Sequence, residues 1–281
     1  MLLDAYEITA DIGHGGMGGV FAARRVSDGL RVAIKLLRPE TRFLPDATER
    51  LRREAIAASR IRSKHVAQVI EVLDDPTHGT AVVFEYLEGE TLEDRLKRDG
   101  QIPLKECRGL VEQMLVGLAE AHDEQIIHRD LKPGNIFLER RADGTISVKV
   151  LDFGVVKLPT QEGFEVLTQR WQSLGTFSYM PPEQIRTPSK VDARADLYAC
   201  GAVIFRMLTG QPPHRARSVG DLILQKRSQP ARKLNAVLPA KTEPLPASVE
   251  EFVDKLLAME PHMRYQSARQ ALEAWRLATV P

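Results

Sequence analysis

The chain contains 281 residues, of which 43% are hydrophobic and 27% are charged, a composition typical of a globular protein with a sizeable core rather than a disordered chain. A net charge of +1 gives no global attraction to nucleic acid or anionic membrane, and two cysteines are too few for a disulfide framework. The early acid Asp4 and the lack of an apolar run of about 18 residues argue against a signal peptide and a membrane span. We therefore expect a soluble, cytoplasmic protein of one or two lobes.

The first part of the chain predicts a small antiparallel sheet with one helix. Short apolar runs at 20–23 and 32–37 flank a polar turn, which predicts a hairpin. Apolar residues at helical spacing predict a helix over 46–62. Two further apolar runs, at 66–73 and 80–87, predict two more strands around a second polar turn.

The second part of the chain predicts mainly helices. The pattern over 104–125 is that of a long amphipathic helix, and the nearly all-apolar pattern over 196–209 predicts a helix buried on every side. Surface helices are expected at 248–257 and 267–278, each opened by a serine that can cap it. The stretch 211–247 is expected to be loop with at most one short helix.

The composition changes near Gly89, and this change predicts a domain boundary. We expect an N-terminal lobe at 1–88 and a C-terminal lobe at 89–281. The fold class expected from this order of elements is α+β, with the strands concentrated in the smaller lobe and the helices in the larger one.

A glycine-rich segment near the N-terminus is the first candidate binding feature. The spacing of Gly13, Gly15 and Gly18 lets backbone N–H groups approach phosphate oxygens closely. By itself this pattern also fits a dinucleotide fold or a turn without a ligand. A dinucleotide site requires a helix directly after the glycines and an acid about 20 residues later. Here a strand follows, so the context favours a hairpin.

A lysine and a glutamate occupy positions that are otherwise apolar. Lys35 lies in an apolar strand, where a lysine that extends to solvent is the simplest interpretation. Glu54 follows Leu51 by three residues and precedes Ala58 by four, so it is expected to face inward and to need a cationic partner. Packing of the helix on the sheet would make Lys35 that partner.

The densest polar cluster lies between the apolar runs 126–127 and 136–138, and it predicts a loop held by two short strands. Within this loop, Asp130 can accept a proton from a hydroxyl group. Lys132 can neutralise a transferring phosphoryl group, and Asn135 can bind a metal ion. The three side-chain types together favour phosphoryl transfer.

Asp152 follows the next apolar strand and precedes a Phe-Gly pair. A carboxylate at the end of a strand is well placed to hold Mg²⁺ that bridges nucleotide phosphates. A metal phosphohydrolase is an alternative that could use His122, Asp123 and His128 together with Asp130. That alternative leaves the glycine segment and Asp152 without a role.

In chain order, the motifs GxGxxGxV, VAIK, a helix glutamate, HRDLKPGN and DFG resemble the eukaryotic-like (Hanks-type) Ser/Thr protein kinase catalytic domain, and the GGMG wording is similar to its bacterial branch. The resemblance covers 6–278. It implies a bilobal protein-kinase-like fold, with an antiparallel-sheet N-lobe that contains one helix and a larger helical C-lobe. It also implies ATP and Mg²⁺ as cofactors, with Mn²⁺ as an alternative, and protein substrates.

The resemblance implies roles at the matching positions of this sequence. Asp130 would be the catalytic base and would act with Lys132. Lys35 would hold the α- and β-phosphates and would pair with Glu54. The implied nucleotide and metal positions are Ile12, Gly13, Gly15, Gly18, Val20, Ala33, Lys35, Glu85, Leu87, Asn135 and Asp152, of which Asn135 and Asp152 would be the metal ligands.

The resemblance also implies two structural contacts outside the nucleotide site. Pro181 stands where the family has the alanine of Ala-Pro-Glu, and Arg264 is the expected ion-pair partner of Glu183. Asp196 matches the acid that anchors the catalytic-loop backbone. Both contacts join residues that are far apart in the sequence, so they are direct expectations for the tertiary structure.

Five residues indicate which hydroxyl groups accept the phosphoryl group and how the kinase is regulated. Lys132 after the base, together with Thr176 of a Gly-Thr pair, favours serine and threonine over tyrosine as acceptors. Arg129 beside the base indicates control by phosphorylation of the activation loop. Thr168 and Ser173 are the expected acceptors, with autophosphorylation in trans at Thr168 in a kinase homodimer. An ordinary solvated hydroxyl is the alternative for each of these two residues.

Two alternatives within the same fold are disfavoured. A pseudokinase that serves as a scaffold would normally lack Lys35, Asp130 or Asp152, and all three are present. A small-molecule phosphotransferase usually lacks the Gly-Thr and Pro-Glu substrate segment. We therefore expect a protein Ser/Thr kinase with no nucleic-acid partner and no membrane segment in this chain. It would be either a soluble kinase regulated by partners or a catalytic fragment of a longer protein.

Overall fold

The computed structural model describes residues 5–14, 18–37, 45–75, 78–153, 177–240 and 242–280. The strands in these ranges are β1 Tyr6–His14, β2 Gly18–Arg25, β3 Arg31–Leu37, β4 Val69–Asp75, β5 Gly79–Glu85, β6 Gly89–Thr91, β7 Ile136–Arg140 and β8 Ile146–Val150. The α-helices in these ranges are α1 Pro45–Ala58, α2 Leu92–Asp99, α3 Leu104–Asp123, α4 Pro182–Arg186, α5 Arg194–Thr209, α6 Val219–Ser228, α7 Ala247–Leu256 and α8 Ala268–Ala278. Short 3₁₀ helices form at Pro133–Asn135, Pro188–Lys190 and Pro261–Met263.

The first five strands form one antiparallel sheet in the order β1-β2-β3-β5-β4. Alternation along β3 gives this sheet two faces, because successive side chains of a strand point to opposite sides. Val32, Ile34 and Leu36 are buried in a small apolar cluster on one face. Ala33 and Lys35 therefore point to the other face, where helix α1 packs. The predicted hairpin corresponds to β2 and β3.

The expected α+β fold with a sheet-rich lobe and a helical lobe is confirmed, although several element bounds differ. Helix α1 ends at Ala58 rather than at residue 62, because the next residues close turns instead of continuing the helix. The predicted strand at 126–127 is wrong. The N–H of Ile126 instead donates to Ala121 O at the end of α3 at 3.0 Å, after a left-handed residue at Gln125.

The sequence prediction lacks four elements, namely strands β1 and β6 and helices α2 and α4. Strand β1 was not expected because its polar residues hide the alternation. Helix α2 was missed because it is only eight residues long and buries two apolar side chains, Leu92 and Leu96. The N-terminus of α2 is nevertheless capped by a neighbouring residue, since the Thr91 hydroxyl accepts a hydrogen bond from Asp94 N.

Helix α5 forms the centre of the helical lobe, as its apolar pattern predicts. Helices α3, α7 and α8 pack around it. Gly201 permits the close approach of α7, because a Cβ at this position would lie 2.7 Å from the Cβ of Leu256. Although α5 is apolar on nearly every side, no helix in the described ranges is both long and apolar enough to cross a bilayer.

The two parts of the chain meet where the segment 65–67 passes strand β8. The N–H of Val150 donates to His65 O at 2.8 Å, and the N–H of Ala67 donates to Val150 O at 3.0 Å. One apolar core extends from this junction into both parts. The first sheet ends at Glu85 and the second begins at Gly89, while the division of the chain into lobes at 88/89 stays a prediction.

Candidate active site

The polar loop that precedes β7 is anchored by a buried carboxylate. Asp196, in the first turn of α5, accepts hydrogen bonds from the N–H groups of His128 and Arg129, each at 2.8 Å. The ring nitrogen Nε2 of His122 lies 2.8 Å from the same carboxylate. Burial raises the pKa of Asp196, but the His122 contact and the His128 contacts outweigh burial and lower the pKa below its usual value. The expected anchoring role of Asp196 is confirmed.

This anchor fixes a residue with a strained backbone. Arg129 has a φ of 63°, a left-handed conformation that is unfavourable for a residue with a side chain. Its N–H donates to Asp196 Oδ1, and its carbonyl accepts from Gln184 Nε2 at 2.8 Å. Because both backbone polar groups of Arg129 are bonded, the position of the following residue, Asp130, is determined by α4 and α5 rather than by the loop itself.

Asp130 lies beside the two other predicted residues of its loop. Its Oδ2 atom is 2.9 Å from Lys132 Nζ. The side-chain amide of Asn135 donates to the backbone oxygen of Asp130 at 2.8 Å, and the N–H of Asp130 is 3.2 Å from His128 Nδ1. The structure therefore brings a carboxylate, an ammonium group and a carboxamide into one cluster.

Asp152 joins this cluster from the end of β8. The N–H of Leu151 donates to Asn135 O at 2.8 Å, which brings Asn135 and Asp152 close together. Asp152 also has a left-handed backbone, with a φ of 55°. His128 supports this turn, because its Nε2 lies 2.8 Å from Leu151 O. The centre of its ring also lies 4.8 Å from the centre of the Phe153 ring.

Lys35 forms an ion pair with Asp152, with 2.6 Å between Nζ and Oδ1. Burial raises the pKa of Asp152, but the charge and hydrogen bond of Lys35, with smaller contributions from His128 and Lys132, outweigh burial and lower it. Asp152 is therefore ionised at neutral pH. The expected partner of Lys35 was Glu54, whose side chain lies outside the described residues, so that pairing stays a prediction.

Two nucleotide positions of the first sheet, Val20 and Ala33, lie on the face that carries Lys35. The strand register sets Val20 opposite Lys35 and Ala33 opposite Phe84, and directly opposed residues share a face. Behind Lys35 is a cavity of about 20 Å³, whose walls include Phe84 and Phe153. Ile12 is half-exposed on β1. Val20 and Ala33 thus share a face with Lys35, whose ammonium group reaches Asp152.

The two described glycines of the glycine-rich segment differ in what surrounds them. A Cβ added to Gly18 would lie 1.9 Å from Leu36 O, so the close approach of β2 and β3 requires glycine at this position. Among the described residues, no atom lies within 4 Å of a Cβ added to Gly13. Packing therefore explains Gly18 but not Gly13.

The implied nucleotide positions Glu85 and Leu87 lie at the end of β5 and just after it. Glu85 is held by an ion pair that the sequence analysis did not predict. Its Oε1 atom accepts from Lys149 Nζ at 2.6 Å and from Gln68 N at 2.8 Å. Lys149 is buried between Val148 and Val150 on β8, and a lysine inside an apolar strand was the one available signal of this contact.

The predicted pair between Glu183 and Arg264 is confirmed. The guanidinium of Arg264 bonds both carboxylate oxygens of Glu183, at 2.6 and 2.8 Å, and it has no exposed side-chain surface. The expected site residues Gly15, Thr168, Ser173 and Thr176 lie outside the described residues.

Residues 6–275 of the chain match the family model described as protein kinase domain. The chain is 35% identical over 272 residues to the serine/threonine-protein kinase PknB of Mycobacterium tuberculosis, which covers 96% of this chain and 42% of that protein. It is 33% identical over 275 residues to the serine/threonine-protein kinase pkn2 of Myxococcus xanthus, which covers 98% of this chain and 32% of that protein. The chain thus spans less than half the length of these two relatives.

The fold is also similar to a solved structure. The crystal structure of the Mycobacterium tuberculosis PknI kinase domain superposes with a TM-score of 0.72 at 23% sequence identity, over 98% of this chain and 96% of that one. At this identity the likeness shows the fold.

Proposed function

Because the chain belongs to the protein kinase family, as a serine/threonine-protein kinase domain of the bacterial type, we propose that the protein transfers the γ-phosphoryl group of ATP to serine and threonine hydroxyls of protein substrates. The observation that carries this proposal is the cluster of Asp130, Lys132 and Asn135 on a loop anchored by Asp196. In-line phosphoryl transfer needs a proton acceptor, a cation and metal-binding oxygens in fixed positions, and this cluster supplies all three.

In this mechanism, Asp130 accepts the proton of the acceptor hydroxyl as its oxygen bonds to the γ-phosphorus. The bond from the γ-phosphorus to the bridging oxygen breaks, and ADP leaves. Lys132 neutralises charge on the transferring group, and Lys35 binds the α- and β-phosphates. Most of the rate enhancement would come from positioning and charge stabilisation, because the protein forms no covalent intermediate.

Protein kinases use ATP together with a divalent metal ion, generally Mg²⁺. The donor set beside Asp130 fits such an ion, which prefers oxygen ligands. The Asp152 carboxylate is ionised, and Asn135 uses its amide nitrogen for Asp130, which leaves its side-chain oxygen as the ligand atom. Asn135 and Asp152 would hold Mg²⁺, or Mn²⁺ as an alternative. When bound, the ion would neutralise charge on the nucleotide phosphates.

The substitution Asp130→Asn tests this function. Loss of the proton acceptor is expected to lower transfer from labelled ATP to protein by about 10²- to 10⁴-fold. Binding of a fluorescent ATP analogue should change little, because the carboxamide keeps the size of the side chain. Asp143→Asn, on the exposed turn between β7 and β8, is the matched control. Full transfer activity in Asp130→Asn, or none in the unaltered protein, would contradict the proposal.

Autophosphorylation in trans is the second part of the proposed function. It rests on sequence position, since Thr168 and Ser173 lie outside the described residues, and on Arg129 beside the base as the cation for the phosphate. Asp130→Asn protein, made longer by a tag, should gain phosphate at Thr168 only when unaltered protein is added with MgATP. Mass spectrometry that finds active protein unmodified between residues 154 and 175 would refute this part. Dimer formation and a cytoplasmic location stay predictions.

A further inference from the structure

Helix α6 carries a lysine that is completely buried. Lys226 has no exposed surface, and it lies on the same side of α6 as Leu222 and Ile223. These two residues form an apolar cluster with Phe177 and Met180. Because a lysine is almost never fully buried unless its charge has partners, the contacts of this ammonium group require an explanation.

The ammonium group of Lys226 bonds the main chain of the segment that precedes α4. Its Nζ donates to Ser178 O at 2.9 Å and to Met180 O at 2.6 Å. It also lies 5.1 Å from the centre of the Tyr198 ring, a distance at which a cation and an aromatic ring attract each other. The two carbonyls flank Tyr179, so one side chain fixes three consecutive residues.

The segment fixed by Lys226 lies against the catalytic loop. Asp130, Tyr179, Met180 and Pro181 line one small cavity of about 10 Å³. Gln184, which follows the segment, donates to the carbonyl of the residue before Asp130. The same stretch, between the Gly-Thr pair and the Pro-Glu pair, is the one that the family resemblance relates to substrate binding.

Burial and the surrounding charges place the pKa of Lys226 near neutrality. The pKa of Lys226 is lowered to about 7, mainly by burial. The charge of Glu183 raises this pKa, and the charge of Arg264 lowers it. The charge of Glu183 is already shared with Arg264 through their two hydrogen bonds. Burial, with the charges of Lys226 and Arg232, lowers the pKa of His214 to about 4, so this neighbour is neutral at neutral pH.

Resting on the proposed kinase function, we propose that Lys226 is a positioning residue for the acceptor peptide. Its ammonium group holds the carbonyls of Ser178 and Met180, and thereby the surface beside Asp130 on which residues next to the acceptor hydroxyl bind. Without this donor, the carbonyls of Ser178 and Met180 lose their hydrogen bonds to Lys226, and the segment relaxes away from the catalytic loop. The effect belongs to the peptide side of the reaction, since the contacts of Lys226 in the described part of the chain are with Ser178, Met180 and Tyr198.

The first test replaces Lys226 by methionine, which keeps the length of the side chain and removes its donors. The probe is a synthetic threonine peptide, selected with the unaltered protein from a positional-scanning library. Lys226→Met is expected to raise KM for this peptide about tenfold or more, while KM for ATP changes much less. Lys255→Met, at an exposed lysine of α7, is the matched control and should change neither value. An equal rise in both KM values, or an unchanged KM for the peptide, would overturn the proposal.

The second test is a pH profile, which also covers the case in which Lys226→Met does not fold. The charged form of Lys226 is lost as pH rises through about 7, so peptide KM in the unaltered protein should rise over that range while KM for ATP does not. Lys226→Arg stays protonated throughout, and its peptide KM should be independent of pH. A pH-independent peptide KM in the unaltered protein, or the same slope in Lys226→Arg, would refute the proposal.

The two proposals fail in distinguishable ways. If the unaltered protein transfers phosphate no better than Asp130→Asn, the kinase function is wrong and the role of Lys226 falls with it. If transfer depends on Asp130 while the peptide KM of Lys226→Met equals that of the unaltered protein, only the positioning role is wrong.

Discussion

Asp196 determines the backbone conformation of the catalytic loop from 67 and 68 positions further along the chain. A left-handed residue with a side chain costs about 1–3 kcal/mol, and Arg129 has this conformation. The two hydrogen bonds from backbone N–H groups to a buried, ionised carboxylate offset that cost, because charge-assisted hydrogen bonds are stronger than neutral ones. The orientation of Asp130 therefore depends on the ionisation of Asp196.

The substitution Asp196→Asn tests this dependence. The free energy of unfolding should fall by about 2–4 kcal/mol at neutral pH, because an amide cannot accept all the donors of the buried carboxylate. The turnover number should fall as well, since Arg129 loses its anchor. Urea unfolding and peptide phosphorylation measure the two effects. Asp221→Asn, at an exposed aspartate of α6, is the control and should change stability by less than about 0.5 kcal/mol.

The pH dependence of this effect has a definite sign. The pKa of Asp196 in the folded protein lies below the ordinary value of 3.8. Its ionised form therefore contributes stability above that value, and the contribution is lost as pH falls through the folded pKa. The difference in stability between the unaltered protein and Asp196→Asn should shrink on acidification. A difference that stays constant down to unfolding would contradict this assignment.

At the scale of elements, the hairpin of β1 and β2 combines two different requirements for glycine. Gly18 lies against the backbone of β3, so its lack of a side chain serves the sheet. Gly13 has no such neighbour among the described residues. We therefore expect its lack of a side chain to permit the close approach of a phosphate. One sequence motif thus contains a glycine that packing requires and a second glycine that we expect to bind phosphate.

Alanine substitutions should separate these two requirements. Gly18→Ala should lower the free energy of unfolding by about 1–3 kcal/mol, because its methyl group collides with Leu36 O. Gly13→Ala should leave stability within about 1 kcal/mol and should raise KM for ATP. Chemical denaturation and steady-state kinetics measure the two effects. Similar destabilisation by both substitutions would show that the packing distinction is wrong.

Helix α4 is a second element whose position comes from outside itself. Five residues are too few for a helix to be stable by its own hydrogen bonds. Arg264 holds it through the two oxygens of Glu183, and it also donates to the carbonyls of Ala258 and Arg194. The planar guanidinium suits this bidentate contact, which a lysine could not reproduce.

At the scale of the whole molecule, the two parts of the chain share one core and several polar contacts. The ion pair between Lys149 and Glu85 and the backbone bonds of Val150 cross the junction. The catalytic loop and Lys35 approach each other only across this junction. A firmly connected junction is therefore a requirement for the site as well as for stability.

We expect the two parts to unfold in one transition, because the core is continuous across the junction. Pulsed hydrogen exchange at increasing urea should give the same midpoint for peptides from β3 and from α5. Lys149→Met, which leaves the carboxylate of Glu85 without this cation, should lower the midpoints of β3 and α5 together. Two separate midpoints in the unaltered protein would contradict a single cooperative unit.

Much of the molecule could be predicted from local patterns. Helical periodicity located α1 and α3, a nearly all-apolar pattern located α5, and short apolar runs located β3 and β5. These signals depend on neighbours within a few residues. The motifs around Asp130 and Asp152 identified the candidate chemistry for the same reason. Short or polar elements such as β1 and α2 escaped, because their stability comes from pairing and packing with the rest of the chain.

The amino-acid sequence by itself determined the order of the motifs, the kinase family and the residue types that can move a proton or bind phosphate. Apart from the Glu183–Arg264 pair, which the family resemblance implied, only the tertiary structure decided which charges meet. Lys35 pairs with Asp152 across 117 positions, and Lys149 pairs with Glu85 across 64. Lys226 bonds the segment that precedes α4. Such partners are set by the approach of distant elements and by the cost of burying a charge alone, neither of which a local pattern records.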